Sequence, residues 1–162
     1  MGSLYFYEYL PVAAASVLAL IESDPALVVG ATEQARGRAE DLAARLSFSI
    51  GKVEVGKQVR VTLGEALLEP GACWLPMRWR ATKGGAWLFP HMKGKLEIQA
   101  LSESECQLSL IGDYTPPLGT FGAIADLLVM HQVAEASVCA FVQGLKARIE
   151  QAEAARVAAV PA

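Results

Sequence analysis

Residues 111–150 read IGDYTPPLGTFGAIADLLVMHQVAEASVCAFVQGLKARIE, and the fold turns on them. The stretch opens as a turn, Gly112-Asp113-Tyr114-Thr115-Pro116-Pro117-Leu118-Gly119. Pro116 and Pro117 have no N–H for a strand ladder, so the preceding strand ends there. Gly119 and Gly122 delay the start of a helix. From Ile124 onward Leu127, Leu128, Ala134, Val138, Phe141, Val142, Leu145 and Ile149 recur at spacings of three and four. That period places them on one apolar stripe of a long helix. Asp126, Gln132, Gln143, Lys146 and Glu150 fall off the stripe and are expected to face water. Asp126 near the start and Lys146 and Arg148 near the end suit the helix dipole.

Two polar residues interrupt the stripe. His131 projects into its middle, one turn after Leu127 and Leu128, and Glu135 follows four residues later at its edge. Side chains at that spacing meet on a helix. An unpaired buried carboxylate is costly, which makes His131 the natural partner of Glu135. The pair reads either as a structural hydrogen bond at the rim of the core or as a polar anchor facing a cavity, available to a ligand or to proton transfer.

The chain has 162 residues, which is one domain by length and enough for a substantial core. Hydrophobic residues make up 53%, so either the core is large or an apolar surface is used. A net charge of −3 argues against nucleic acid as a partner, because phosphate binding rests on basic side chains. Cys73, Cys106 and Cys139 are an odd number at wide spacing, which argues against a disulfide framework or a zinc site and leaves buried free thiols. His91 and His131 offer no metal-ligand spacing, and no cofactor is expected. The apolar run at 11–21 is too short to span a bilayer and follows Glu8 with no basic residue before it. A cytoplasmic protein without stable membrane insertion is expected.

Upstream of the long helix the pattern is mostly strand. Residues 4–10 form a strand rich in tyrosine and phenylalanine. Pro11 starts a helix reaching about Glu22, with Val12, Ala15, Leu18 and Ala19 on one side, and Ser23-Asp24-Pro25 breaks it. Residues 26–30 read as an apolar connector. Thr32 caps a second, charged helix over 33–46, whose Arg36, Arg38 and Arg45 read as a solvated face. A meander follows: 48–55, a turn at Gly56-Lys57, 58–69 with a bulge at Gly64, then 72–82, 95–101 and 106–113. Pro76 marks an edge or a bulge. Alternation sends Arg78 and Arg80 to the outer face of the sheet. Residues 151–162 are alanine-rich and are expected to fray.

This order of elements, with Leu88-Phe89-Pro90-His91-Met92-Lys93-Gly94, the segment from Gly112 to Gly119, and Asp126 leading the final helix, resembles the START-like, or SRPBCC, superfamily. The likeness is to its polyketide cyclase/dehydrase- and lipid-transport-like branch, and it covers 4–150. It implies an α+β helix-grip fold: a curved antiparallel meander wrapped around the long C-terminal helix, two short helices after the first strand, and one domain over 1–150. It also implies a cavity between sheet and helix for a small apolar ligand. By position the lining would be Val61, Leu63, Met77, Trp79, Phe89, Leu96, Leu108, Leu110, Phe121, Leu128 and His131. One frame carries many functions, so the resemblance leaves function open. A carrier of a lipid or polyketide-like aromatic is the first expectation. A cyclase or dehydratase using His131, Glu135 and Tyr114 is the second. A module that binds protein instead of ligand is the third. Either a monomer or a homodimer fits. No phosphate loop, GxSxG elbow or HExxH is present in the sequence.

Overall fold

The structure is a computed structural model describing residues 2–29, 42–50, 53–81, 91–115 and 125–161. Its elements in order are β1 (Gly2–Leu10), α1 (Ala14–Ser23), α2 (Ala26–Val29), β2 (Leu42–Ile50), β3 (Val53–Leu63), β4 (Leu67–Glu69), β5 (Ala72–Ala81), β6 (His91–Ala100), β7 (Cys106–Thr115) and α3 (Ala125–Ala158). The strands make one antiparallel sheet in the order β1-β7-β6-β5-β3-β2, with β4 also pairing to β5.

Alternation decides which face is covered. On β5, Cys73, Leu75, Met77 and Trp79 are buried while Pro76, Arg78 and Arg80 are exposed. On β6 and β7, Met92, Leu96, Ile98, Cys106, Leu108 and Leu110 point the same way. The α3 stripe of Ala134, Val138, Phe141, Val142, Leu145 and Ile149 covers this face and is itself buried. Trp79 meets Phe141 edge-on with ring centroids 5.4 Å apart. Each large side chain so buried stabilises the fold by about 1.5–3 kcal/mol. The helix approaches both edge strands, β1 and β2, more closely than the middle strands β3, β5 and β6. A helix near both edges and set off from the middle requires a sheet that bends around it.

Two backbone details shape that sheet. The pairs Leu63 with Met77 and Leu67 with Trp74 set Gly64, Glu65 and Ala66 against Leu75 and Pro76, which is the bulge expected at Gly64. Gly64 N–H donates to the Pro76 carbonyl at 2.8 Å, and a Cβ on Gly64 would sit 3.1 Å from Pro76 Cβ. Further along, Gly94 pairs with Gly112, and a Cβ on Gly94 would run into the Ile111 carbonyl oxygen. The glycine is required there by the approach of two backbones.

Several expectations need correction. Residues 42–46 lie in β2, not in a helix ending at Leu46, because a continuous ladder from Leu42 with Val61 to Ile50 with Val53 overrides their helical propensity. Residues 33–41 of that expected helix lie outside the described residues. The same ladder places the reversal after Ile50, so Gly56-Lys57 lies within β3. Gly112 to Thr115 is strand, paired to β6 throughout and, as far as Tyr114, to β1 on the other side. The β6 strand likewise starts at His91, ahead of the expected 95. In α1 the buried residues are Val17 and Ile21, while Ala15 and Ala19 are exposed. The apolar connector contains α2, started by Pro25. The helix α3 continues past Glu150 to Ala158, where fraying was expected.

That extension also changes the roles of the two cations assigned to the helix end. Lys146 donates to the Tyr9 carbonyl at 2.5 Å and pairs with Glu150. Arg148 donates from Nε to the Leu27 carbonyl and from a terminal nitrogen to that of Val28, both at 2.7 Å. It thus closes the open C-terminal end of α2 and pins that helix to α3. Burial pulls its pKa below the usual guanidinium value. Gly144, one turn earlier, leaves the room: a Cβ there would be 3.0 Å from the guanidinium.

Arg148→Ala should lower unfolding free energy in urea by about 2–3 kcal/mol, since two carbonyls lose their donors, and Arg148→Lys should recover part of it. Gly94→Ala should cost about 2–3 kcal/mol in the same measurement, because neither neighbour is a flexible side chain that can yield. A loss under about 0.5 kcal/mol for either would contradict the assigned role.

Candidate functional site

The site forms where β1 and α3 part. Along β1 the side chains of Leu4 and Leu10 turn inward and are buried, while Tyr5, Tyr7 and Tyr9 stand on the outer face. The outer edge of this strand has no strand partner among the described residues. Lys146 holds its far end by the Tyr9 carbonyl. Residues two apart on an antiparallel strand point their backbone groups the same way. The N–H and C=O of Ser3 and Tyr5 therefore face outward as Tyr9 does.

At that open end lies a groove of about 730 Å³. Ser3, Leu4, Tyr5 and Phe6 form one wall, and His131, Gln132, Glu135, Ala136, Val138 and Cys139 of α3 form the other. Its character is mixed: apolar side chains on both walls, strand backbone along one, and an imidazole and a carboxylate on the other.

The polar groups are linked. Tyr114, on the inner face of β7, lies opposite Gly2 of β1, where a Cβ would land on the phenol ring. The missing side chain lets the ring lean toward the helix. Its hydroxyl is 2.8 Å from His131 Nδ1, and His131 Nε2 is 3.1 Å from Glu135 Oε1. A consistent assignment has Nε2–H donating to the carboxylate and the phenol O–H donating to Nδ1. With the imidazole protonated, Nδ1–H donates to the phenol oxygen instead. Tyr114 is 6% exposed, whereas the side chains of His131 and Glu135 are 42% and 58% exposed. The chain of hydrogen bonds thus runs from the core to the groove and on to solvent. Such a chain can orient a polar ligand group or move a proton.

The three residues singled out for chemistry, Tyr114, His131 and Glu135, are brought together. The expected lining is distributed differently. Val61, Leu96, Leu108 and Leu110 have no exposed surface, and Met77 and Trp79 are nearly as buried in the same cluster. Leu63 packs against that cluster partly exposed. Phe89, Phe121 and the Leu128 side chain lie outside the described residues. His131 is the expected lining residue that borders the groove. The β1 wall was missed, because the edge position of β1, which among the described residues pairs with β7 alone, is set by the topology and not by any local pattern.

The three cysteines are free. Burial pushes the Cys106 thiol up to about 11. Cys139, half-buried on the groove wall, is raised first by burial and then by the charge of Glu8. Among the described residues no group of His, Cys, Asp and Glu is placed to hold a metal ion, and no helix is long and apolar enough to cross a membrane.

No protein-family model matches the chain, and no curated protein matches it. Solved structures do. An aromatase/cyclase from a Streptomyces species superposes with a TM-score of 0.59 at 13% identity, covering 93% of this chain and 94% of that one. A protein from Thermus thermophilus gives 0.55 at 16% identity, over 93% and 99%. Norcoclaurine synthase from Thalictrum flavum gives 0.51 at 10% identity, over 94% and 96%. At such identities the likeness is one of fold: an antiparallel sheet with a long C-terminal helix and short helices after the first strand.

A maleimide at neutral pH should label Cys139 before Cys73 and Cys106, slowly, and faster as pH rises through the ordinary thiol value and beyond, because a raised pKa delays the thiolate. Peptide mapping reads the order. Labelling of Cys106 first would contradict the placement of both residues.

Proposed function

We propose that this protein binds a small, mainly apolar ligand carrying one hydrogen-bonding group, held in the groove between β1 and α3. The observation that carries the reading is the Tyr114–His131–Glu135 chain, which ends at a groove with apolar walls. Such sites pair an apolar body with a few placed polar groups. Both imidazole nitrogens are engaged, so the ligand's polar group would meet the outer carboxylate oxygen of Glu135 or take that carboxylate's place at Nε2. A hydroxyl, phenol or carboxyl group would therefore suit the site, with the ligand's apolar part against Phe6 and Ala136. The likeness in fold to an aromatase/cyclase and to norcoclaurine synthase supports a ligand of aromatic type.

Native mass spectrometry of the purified protein should show a bound small mass, and an environment-sensitive apolar dye should bind saturably and be displaced by it. His131→Ala should weaken that binding about tenfold, the worth of one hydrogen bond to a polar group. Bound ligand should also protect Cys139 from the maleimide. Absence of any bound mass together with unsaturable dye uptake would overturn the reading.

The same three residues support a second reading, a cyclase or dehydratase in which His131 moves a proton, oriented by Tyr114 and Glu135. Here His131→Ala would reduce turnover of an aromatic polyketide-like substrate by about 10²- to 10⁴-fold, with the circular dichroism spectrum unchanged. Wild-type protein that binds such a substrate without converting it would leave the carrier reading in place.

A further inference from the structure

The ligand groove uses the inner face of the sheet and one edge, and the outer face carries a separate feature. There Arg60 of β3, Arg78 and Arg80 of β5, and Lys93 of β6 are all exposed. They are not scattered: Arg60 lies directly opposite Arg80, and Arg78 directly opposite Lys93. Like charges facing each other across a ladder disfavour the sheet. Among the described residues, three other surface cations have acids of their own. Lys95 pairs with Glu97, Lys146 with Glu150, and Arg156 with Glu153. Among the described residues no carboxylate pairs with any of the four. Asp113 lies opposite Lys93 but accepts the Ser3 hydroxyl at 2.6 Å. In a chain of net charge −3, four cations on three adjacent strands, with Asp113 beside Lys93 as the acid bordering the same groove, are a concentrated exception. They border a shallow groove of about 650 Å³.

We propose that this face docks an acidic helix of a partner protein, one presenting carboxylates a single helical turn apart. Charge complementarity selects the sign, and spacing selects the element. Arg78 and Arg80 are two residues apart on one strand, a rise of about 6.7 Å, and their opposing cations lie about 4.8 Å to either side. Carboxylates at i and i+4 on a helix are about 5–6 Å apart at Cβ, so one faces each row of the patch. Arginine forks grip carboxylates in bidentate fashion. The cations are solvent-exposed, so a small anion touching one or two of them stays screened by water and salt. A protein surface covers all four and excludes that water. Nucleic acid fits less well, because the patch is short and the rest of the chain is net negative.

The probe is a fluorescein-labelled helical peptide with glutamates at i and i+4, set against the same peptide with glutamines. Fluorescence anisotropy should show binding of the glutamate peptide alone, weakening roughly tenfold between about 20 mM and about 200 mM salt. Arg78→Glu should weaken it tenfold or more. Arg156→Glu, which changes net charge by the same step at a distant site, should leave it within about twofold. Arg78→Gln, which removes the charge without reversing it, gives an intermediate loss and covers the case of a poorly folded reversal. The proposal is overturned by absence of binding at low salt, by equal losses for Arg78→Glu and Arg156→Glu, or by single-stranded DNA that binds more tightly than the peptide. Dye binding in the β1–α3 groove should be unchanged in Arg78→Glu, so this test and that of the ligand site fail or succeed separately.

Discussion

Contact of one helix with both edges of one sheet is the constraint on which the rest of this structure depends. The sheet presents a single apolar face, and α3 is the element long enough to cover it. To bring β1 and β2 both against that helix, the strands between them must stand back. The close approach of Gly94 and Gly112 allows β6 and β7 to pack backbone to backbone on the way. The bulge at Gly64 does the same service beside Pro76, where a continuous neighbour would find no N–H. A side chain at Gly94 would collide with the Ile111 backbone, and one at Gly64 would press on the Pro76 ring. At the other end of the helix, Arg148 fastens α2 through two carbonyls, which fixes the helix end that reaches past the sheet.

The location of the polar chain follows from this arrangement. A helix that closes on β1 at Tyr9, through Lys146, diverges from the same strand toward Ser3. The wedge left between them is where a polar group can meet both core and solvent. Tyr114 reaches it because Gly2, its partner across the ladder, has no side chain to occupy the space. His131 reaches it because it interrupts the apolar stripe one turn before Glu135. Packing among the described residues sharpens the contrast: Val61, Leu96, Leu108 and Leu110 are closed off, while the seam is open.

The long-range order of the fold was legible because periodicity reports burial directly. The α3 stripe, the alternation of β5 and β7, and the Gly64 bulge all follow from which side chains must leave water. What misled was local chemistry that has two solutions. Residues 42–46 carry leucine and alanine that suit a helix, and only the ladder to β3 makes them a strand. Gly-Lys occurs at 51–52, 56–57 and 94–95, and the copies at 56–57 and 94–95 lie within strands, so the pair by itself does not mark a turn. Gly112-Asp113 looks like a turn until Gly94 is placed opposite it, a partner no local pattern reveals. The Tyr114–His131–Glu135 grouping was half visible: helix spacing joins His131 to Glu135, but the approach of Tyr114 depends on strand pairing across the whole sheet. The β1 wall was invisible for the same reason, since an edge is a property of topology and not of the strand that forms it.

The two faces of the sheet also differ in how they are built, and the difference bears on function. On the inner face, the polar groups bordering the groove satisfy one another: phenol to imidazole to carboxylate. Such a chain keeps its geometry when empty, so a ligand of the proposed kind would meet a carboxylate already oriented. On the outer face the four cations satisfy nothing among the described residues, and repulsion across the ladder keeps them apart. An empty inner site is therefore self-consistent, whereas the outer patch keeps an excess of positive charge among the described residues. A protein that merely needed solubility would have interspersed its signs there, as it does along the solvent side of α3, where Lys146 and Arg156 each have a glutamate one turn away. Cations placed in register on rigid strands, opposite one another and without acids between them, are an arrangement that makes physical sense when something negative comes to rest on it.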